Sequence, residues 1–123
     1  MTSAEAHVKK FRKELHSGIA AMVLLALLER TGEEMYGYQI AKEIGAKAGG
    51  DSFLKQGAIY PVLRSLHASG LLSSRVEVSV SGPPRRYYAI SPMGREALDT
   101  WRDVWSDLRG FVDGLVGPGE AHG

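Results

Sequence analysis

The 123 residues predict a mainly α-helical chain with one small β-hairpin, an α+β arrangement, and three features predict it. Apolar side chains recur at spacings of three and four through most of the chain, the period of a helix with one face turned to a core. Between Leu72 and Ile90 the period drops to two and is interrupted by Ser81-Gly82-Pro83-Pro84, which reads as two strands joined by a turn. Ser91-Pro92 then restarts a helix, since Ser caps a helix amino terminus and Pro is tolerated at the first helical position.

The first helix begins amphipathic, with Val8, Phe11 and Leu15 on one stripe among Lys9, Lys10, Arg12 and Lys13. From Gly18 on, Ile19, Met22, Val23, Leu24, Leu25, Leu27 and Leu28 cover nearly its whole circumference. A helix apolar all round must be buried all round, so part of its cover is expected from a second subunit. Gly32 is the expected stop. A second helix is expected over 36–47, with Tyr36, Ile40 and Ile44 on its inner face. Ala48-Gly49-Gly50-Asp51-Ser52 is turn chemistry, with Asp51 or Ser52 as a cap for the third helix.

The third helix, from Leu54 to Gly70, places Ile59, Val62, Leu63 and Leu66 towards a core and Lys55, Gln56, Tyr60, Arg64 and His67 away from it. These polar groups can hydrogen-bond phosphates or base edges. Pro61 lacks an amide proton and belongs in a first turn, so either the helix proper starts near Ile59 or the turn before it is irregular. In the hairpin, Leu72, Val76, Val78 and Val80 are expected on the apolar side, broken by Ser74, with Arg75, Glu77 and Ser79 opposite. Tyr88 and Ile90 are expected inward on the second strand, and Arg85 and Arg86 at the hairpin tip. In the last helix Trp101, Val104 or Trp105, Leu108, Phe111 or Val112, and Leu115 alternate at four and three, a short coiled-coil seam that calls for a partner. Residues 117–123 are expected to be a disordered tail.

Composition bounds the function. Hydrophobic residues make up 44% and charged residues 24%, as in a globular domain, and Cys is absent, which fits a reducing compartment. The start of the chain has no signal-peptide core, and the apolar run from Ile19 to Leu28 is too short to span a bilayer. The expected location is the cytoplasm, with no membrane partner. Net charge is only +1, yet residues 1–91 hold twelve Lys and Arg against eight Asp and Glu, whereas 92–123 hold three against six. Such a polarised molecule can turn a positive face to a polyanion. His7, His16, His67 and His122 share no metal-ligand spacing, and Asp99, Asp103 and Asp107 form a solvated helix face. No phosphate-binding glycine loop or glycine-framed nucleophilic serine is present. Neither an enzyme, a metal nor a cofactor is expected.

Three helices, a hairpin with a basic end and a last helix make a winged helix-turn-helix, in which the third helix enters the major groove and the wing reaches the flanking backbone or minor groove. The chain resembles the PadR-like transcriptional regulators in Met35-Tyr36-Gly37-Tyr38-Gln39-Ile40, in Gly57-Ala58-Ile59-Tyr60-Pro61-Val62-Leu63 and in 66–71. It does so again in Gly82-Pro83-Pro84-Arg85-Arg86-Tyr87-Tyr88-Ala89-Ile90 and in Gly94-Arg95-Glu96-Ala97-Leu98. The resemblance implies a dimeric DNA-binding repressor whose carboxy-terminal helix packs on the first helix of the other subunit. It also implies, for several members, a planar aromatic effector held between subunits. Where the family usually carries Thr or Ser, this chain has Ala58.

The expected organisation is therefore a DNA-binding unit over 1–91 and a dimerisation helix over 92–116. Expected contacts with double-stranded DNA are Tyr38, Lys55, Gln56, Ala58, Ile59, Tyr60, Arg64, Arg85 and Arg86. The expected homodimer seam comprises Leu15, Ile19, Met22, Val23, Trp101, Val104, Trp105, Leu108, Phe111, Val112 and Leu115, with Trp101 and Trp105 as the place for an aromatic effector. The expected function is a sequence-specific regulator, as a repressor on a palindromic operator. The alternatives are a winged-helix protein-interaction module that leaves DNA untouched, and a dimer that sequesters an aromatic compound.

Overall fold

The computed structural model describes residues 2–47 and 56–117, in the order α1 (Ser3–Thr31), β1 (Met35–Tyr36), α2 (Gly37–Lys47), α3 (Gln56–Ala68), β2 (Leu72–Glu77), β3 (Arg85–Ile90) and α4 (Pro92–Val116). Helix α1 opens on Thr2, whose Oγ1 accepts from the Glu5 amide at 3.1 Å, and runs unbroken past Gly18. It closes on Gly32, whose φ of 68° is the left-handed turn that a glycine enters without cost. A lone glycine in a 29-residue helix costs about 1 kcal/mol, which the packing of the next three turns outweighs. That packing sets Ala20, Leu24, Leu25, Leu27 and Leu28 in the core, with Ile40 and Ile44 of α2, Ile59, Leu63 and Leu66 of α3, Leu72, Tyr88 and Leu98.

The second helix starts one residue later than its apolar spacing predicts. Tyr36 does not continue the Ile40–Ile44 face, because it lies in the two-residue strand β1, which pairs antiparallel with β3 through Met35–Tyr88 and Tyr36–Tyr87. The Tyr36 amide donates to Gln39 Oε1 at 2.9 Å, so a side chain three residues on caps the helix by reaching back. The expected two-stranded hairpin is thereby a three-stranded sheet of order β1-β3-β2.

Helix α3 runs over Gln56–Ala68 among the described residues and holds Pro61 inside it, so the helix does not start near Ile59. The missing Pro61 amide would have bonded the Gly57 carbonyl. Gly57 is exposed and its Cα side is open, so water can satisfy that carbonyl. The stop at Gly70 forms as expected. The Leu71 amide donates to the Leu66 carbonyl at 2.9 Å, and Gly70, at φ 82°, donates to the His67 carbonyl at 3.0 Å. This pair of bonds is a Schellman termination. The expected caps at Asp51 and Ser52 lie outside the described residues, as does the expected tail beyond Gly117.

The wing departs from its sequence pattern in two ways. β2 ends at Glu77, so Val78 and Val80 belong to the connecting loop and are exposed, as is Val76 near the strand's end. Strand alternation can bury only what the helices cover, and the helices cover the base of the sheet. Arg85 and Arg86 are consequently not at the tip. They pair with Glu77 and Val76 in the first two positions of β3, beneath a loop spanning 78–84. Ser74 no longer looks like a flaw in the pattern, because its Oγ accepts from Arg86 Nη1 at 2.7 Å.

Helix α4 opens on the expected Ser91 cap with Pro92 in its first turn and packs on α1, where Arg102 bridges Glu29 and Asp99. That pairing is the reason the Arg102 guanidinium holds its proton more tightly than usual, through its hydrogen bond to Glu29 first. The amino-terminal end of α4 comes so close to the β2 start that a Cβ on Gly94 would lie 2.1 Å from the Leu71 carbonyl oxygen. A backbone atom cannot give way, so Gly94→Ala should lower stability in urea unfolding by about 1–3 kcal/mol or more. In contrast Gly110→Ala, whose Cβ meets nothing within 4 Å, should raise it by about 0.5–1 kcal/mol through helix propensity.

Candidate nucleic-acid interface

The geometry of α3 follows from which of its residues are buried. Ile59 and Leu63 are fully buried and Leu66 nearly so. With 3.6 residues per turn, burying them turns Gly57, Ala58, Pro61, Arg64 and Ser65 to the outside, and all five are exposed. The sequence-predicted contacts divide on this basis. Ala58 and Arg64 stand on the exposed face. Ile59 does not: its side chain is sealed in the core and can take part in recognition only by holding the helix in place. Pro61 and Ser65 join the exposed face although they were not among the predicted contacts. Their signal was available in the helical wheel, once the buried stripe is drawn through 59, 63 and 66. Lys55 lies outside the described residues, and Gln56 forms the first residue of α3.

Tyr60 sits at the border of that face, half-buried. Its ring lies against Gly37 at the start of α2, where a Cβ would come within 3.2 Å of Tyr60 Cε1 and 3.9 Å of Tyr88 Cε2. The tyrosine therefore spaces α3 from α2 and from the wing. Tyr38 is exposed on the first turn of α2, with Lys42 Nζ 5.6 Å from its ring centroid.

The solvent face of the sheet carries a row of rings and cations that the sequence pattern did not reveal. Tyr36 lies 6.4 Å from Tyr38 and 5.9 Å from Tyr87 between ring centroids. Arg85 stacks 5.2 Å from the Tyr36 ring and Arg75 4.7 Å from the Tyr87 ring. Arg75 also grips Glu34, with Nε 2.8 and 2.9 Å from the two carboxylate oxygens. This fork holds the Glu34 carboxyl below the ordinary carboxylate range and raises Arg75, the hydrogen bond between them being the larger cause in both. Arg75 is thus engaged by Glu34 and Glu77, whereas Arg85 is held over a ring and Arg86 by a serine. Both side chains are exposed. Beside them, Glu77, Val78, Ser79, Arg85 and Tyr87 line a shallow depression of about 240 Å³.

The expected dimer seam is laid out on two helices. On α4, Val104, Trp105, Leu108, Phe111, Val112 and Leu115 are all exposed, Phe111 to 65%, and fall within roughly 120° of the helix circumference. Trp101, one turn earlier, packs partly against the chain's own core. On α1, Val8, Phe11 and Leu15 are exposed, whereas Ile19, Met22 and Val23 are half-buried. Among the described residues no His, Asp and Glu cluster could hold a metal ion, and no helix is long and apolar enough to cross a membrane.

Comparison with known proteins agrees with this geometry. Residues 24–100 match the transcriptional regulator PadR-like family. The chain is 34% identical over 103 residues to the transcriptional regulator Rv3488 of Mycobacterium tuberculosis, covering 84% of this chain and 89% of that one. A PadR family transcriptional regulator from Eggerthella lenta superposes with a TM-score of 0.78 at 28% identity, over 95% of this chain and 98% of that one. Bacillus subtilis PadR, solved in complex with operator DNA, shares the fold at 24% identity with a TM-score of 0.60, over 68% of this chain and 46% of that one. With an exposed α3 face, a cationic wing and a family match that spans both, the chain belongs to the PadR-like family of transcriptional regulators, which are not enzymes.

Proposed function

We propose that the chain is a homodimeric repressor that binds a roughly palindromic operator, with 1–91 as the DNA-reading unit and 92–116 as the helix that pairs subunits. The observation that carries the reading is the outward face of α3, Gly57, Ala58, Pro61, Arg64 and Ser65, together with the exposed arginines of β3. Small residues at 57, 58 and 61 leave the helix flush, so its backbone can approach a groove wall closely. Arg64 projects from the same face to meet a base edge or phosphate. The operator DNA bound by Bacillus subtilis PadR supports the same choice of partner.

Pairing of subunits is supported by the two unpartnered apolar stripes. Each large side chain that leaves water is worth about 1.5–3 kcal/mol, and six such residues on α4 exceed what a monomer ordinarily leaves exposed. The two helices also differ in net charge: the exposed α1 segment carries Lys9, Lys10, Arg12 and Lys13 against Glu5 and Glu14, whereas α4 carries Glu96, Asp99, Asp103, Asp107 and Asp113 against Arg95, Arg102 and Arg109. We assign Trp101 and Trp105 to packing in this seam. A planar aromatic effector would act there, by prising the two subunits' helices into a new angle.

The decisive experiment is a gel shift with the DNA upstream of the chain's own gene at low and moderate salt. A salt-sensitive, competitor-resistant complex is expected, and its absence would favour an interaction module that leaves DNA untouched. Replacing Arg85 and Arg86 by Ala should weaken binding evenly across sequences and reduce the slope of log affinity on log salt by up to about 1.8, at about 0.9 per phosphate no longer neutralised. Arg64→Ala should behave differently, relaxing sequence preference at one position by about 1–3 kcal/mol. For the seam, Phe111→Glu should halve the mass measured by light scattering from twice 13.3 kDa to one chain, with the helical circular dichroism retained.

A further inference from the structure

Four elements meet at one serine. Ser91 Oγ accepts from the Gly94 amide at 3.0 Å and donates to the Gly70 carbonyl at 2.6 Å, while the Ser91 amide donates to the Leu71 carbonyl at 3.1 Å. Gly70 and Leu71 form the Schellman termination of α3, Leu72 begins β2 opposite Ile90 of β3, and Gly94 lies in the first turn of α4. A helix cap alone would need only the bond from Gly94. The second bond, out of α4 and into the end of α3, is extra. Together with the bond from the Ser91 amide to the Leu71 carbonyl, it ties the end of α3 to the start of α4. The surroundings leave it little freedom. A Cβ on Gly94 would collide with the Leu71 carbonyl oxygen and one on Gly70 would touch Met93 Sδ at 3.8 Å.

We propose that Ser91 is a positioning residue that fixes the angle between the DNA-reading helix α3 and the subunit-pairing helix α4, and through it the operator half-site spacing that the dimer accepts. The inference rests on the dimeric DNA-binding reading and deepens it. In a two-fold dimer the path from one α3 to the other runs through both Ser91 junctions and the α4 seam. Helix α4 has 25 residues, so at about 1.5 Å per residue it is a lever of about 37 Å. A tilt of about 5° at its start moves the far end by about 3 Å, close to one base-pair step of about 3.4 Å. Loss of a single bond at the fulcrum is therefore read out at the scale on which half-site spacing is discriminated.

The test uses the full chain and a duplex selected from random DNA by the wild-type protein, with the half-site separation then changed by one and two base pairs. Ser91→Asp keeps an acceptor for the Gly94 amide and loses the donor to Gly70, Ser91→Ala loses both, and Ser91→Thr keeps both. The wild-type and S91T proteins should prefer the selected spacing by about tenfold or more over its neighbours. For S91D and S91A that preference should fall to about threefold or less, with dimer dissociation unchanged in sedimentation. Should S91D fail to fold, Ser91→Gly removes the same hydroxyl with a residue that is tolerated at an N-cap. A wild-type complex whose spacing profile S91D or S91G reproduces overturns the inference alone, as does a flattened profile for S91T. If wild-type protein forms no complex with any duplex, the DNA-binding reading falls and the inference with it.

Discussion

The burial of Ile59, Leu63 and Leu66 against Leu24, Leu25 and Leu28 is the contact on which the rest of the molecule depends. It joins α1 and α3, and it fixes the rotation of α3 about its own axis. A helix has one rotational degree of freedom once its axis is placed, and three buried residues at 59, 63 and 66 remove it. The outward face is then set without further choice. Ile59 illustrates the division of labour: it stands inside the segment whose outer face is exposed, yet serves that face only from behind.

The wing is organised by a different balance. Its inner face is too short to bury all the valines that alternate along β2, so the outer portion is held by polar and ring contacts. The Arg75–Glu34 fork ties the wing to the loop before β1, and the Tyr36, Tyr38 and Tyr87 rings give Arg85, Lys42 and Arg75 respectively apolar bodies to lie on. Contacts of this kind are worth little individually at an exposed site. Their effect is orientation: cations lying along rings point in fewer directions than cations on free stems. Arg85, lying on the Tyr36 ring, and Arg86, bonded to Ser74 Oγ, are pre-ordered in this way, which lowers the entropy a binding contact would cost them.

Helix α4 is tied to the domain at its start and unpartnered along its length. Gly94 and Ser91 hold the first turn, Leu98 enters the core, and Arg102 bridges to Glu29. Beyond that point the apolar stripe faces outward. In the proposed dimer, this rigid root with an exposed apolar shaft would carry one subunit's geometry to the other.

Much of this was determined by the sequence alone, because it depends on local period and on residues with a single physical role. The four helices, the Gly32 and Gly70 stops, the Ser91-Pro92 start and the inward Tyr88 were all legible in this way, and the resemblance to PadR-like regulators rested on short motifs in order. Tertiary structure decided what has no local period. A two-residue strand is too short to show alternation, so β1 and the helical start after Tyr36 emerged only from pairing with β3. The valines at 76, 78 and 80 alternate correctly but find no helix to cover them, and burial is a property of the neighbour. The positions of Arg85 and Arg86 below the loop, the use of Ser74 as an acceptor for Arg86, and the second bond of Ser91 to the Gly70 carbonyl depend on residues brought together from 12 and 21 positions apart. Sequence spacing specifies a residue's face. Only the packed chain specifies what that face meets.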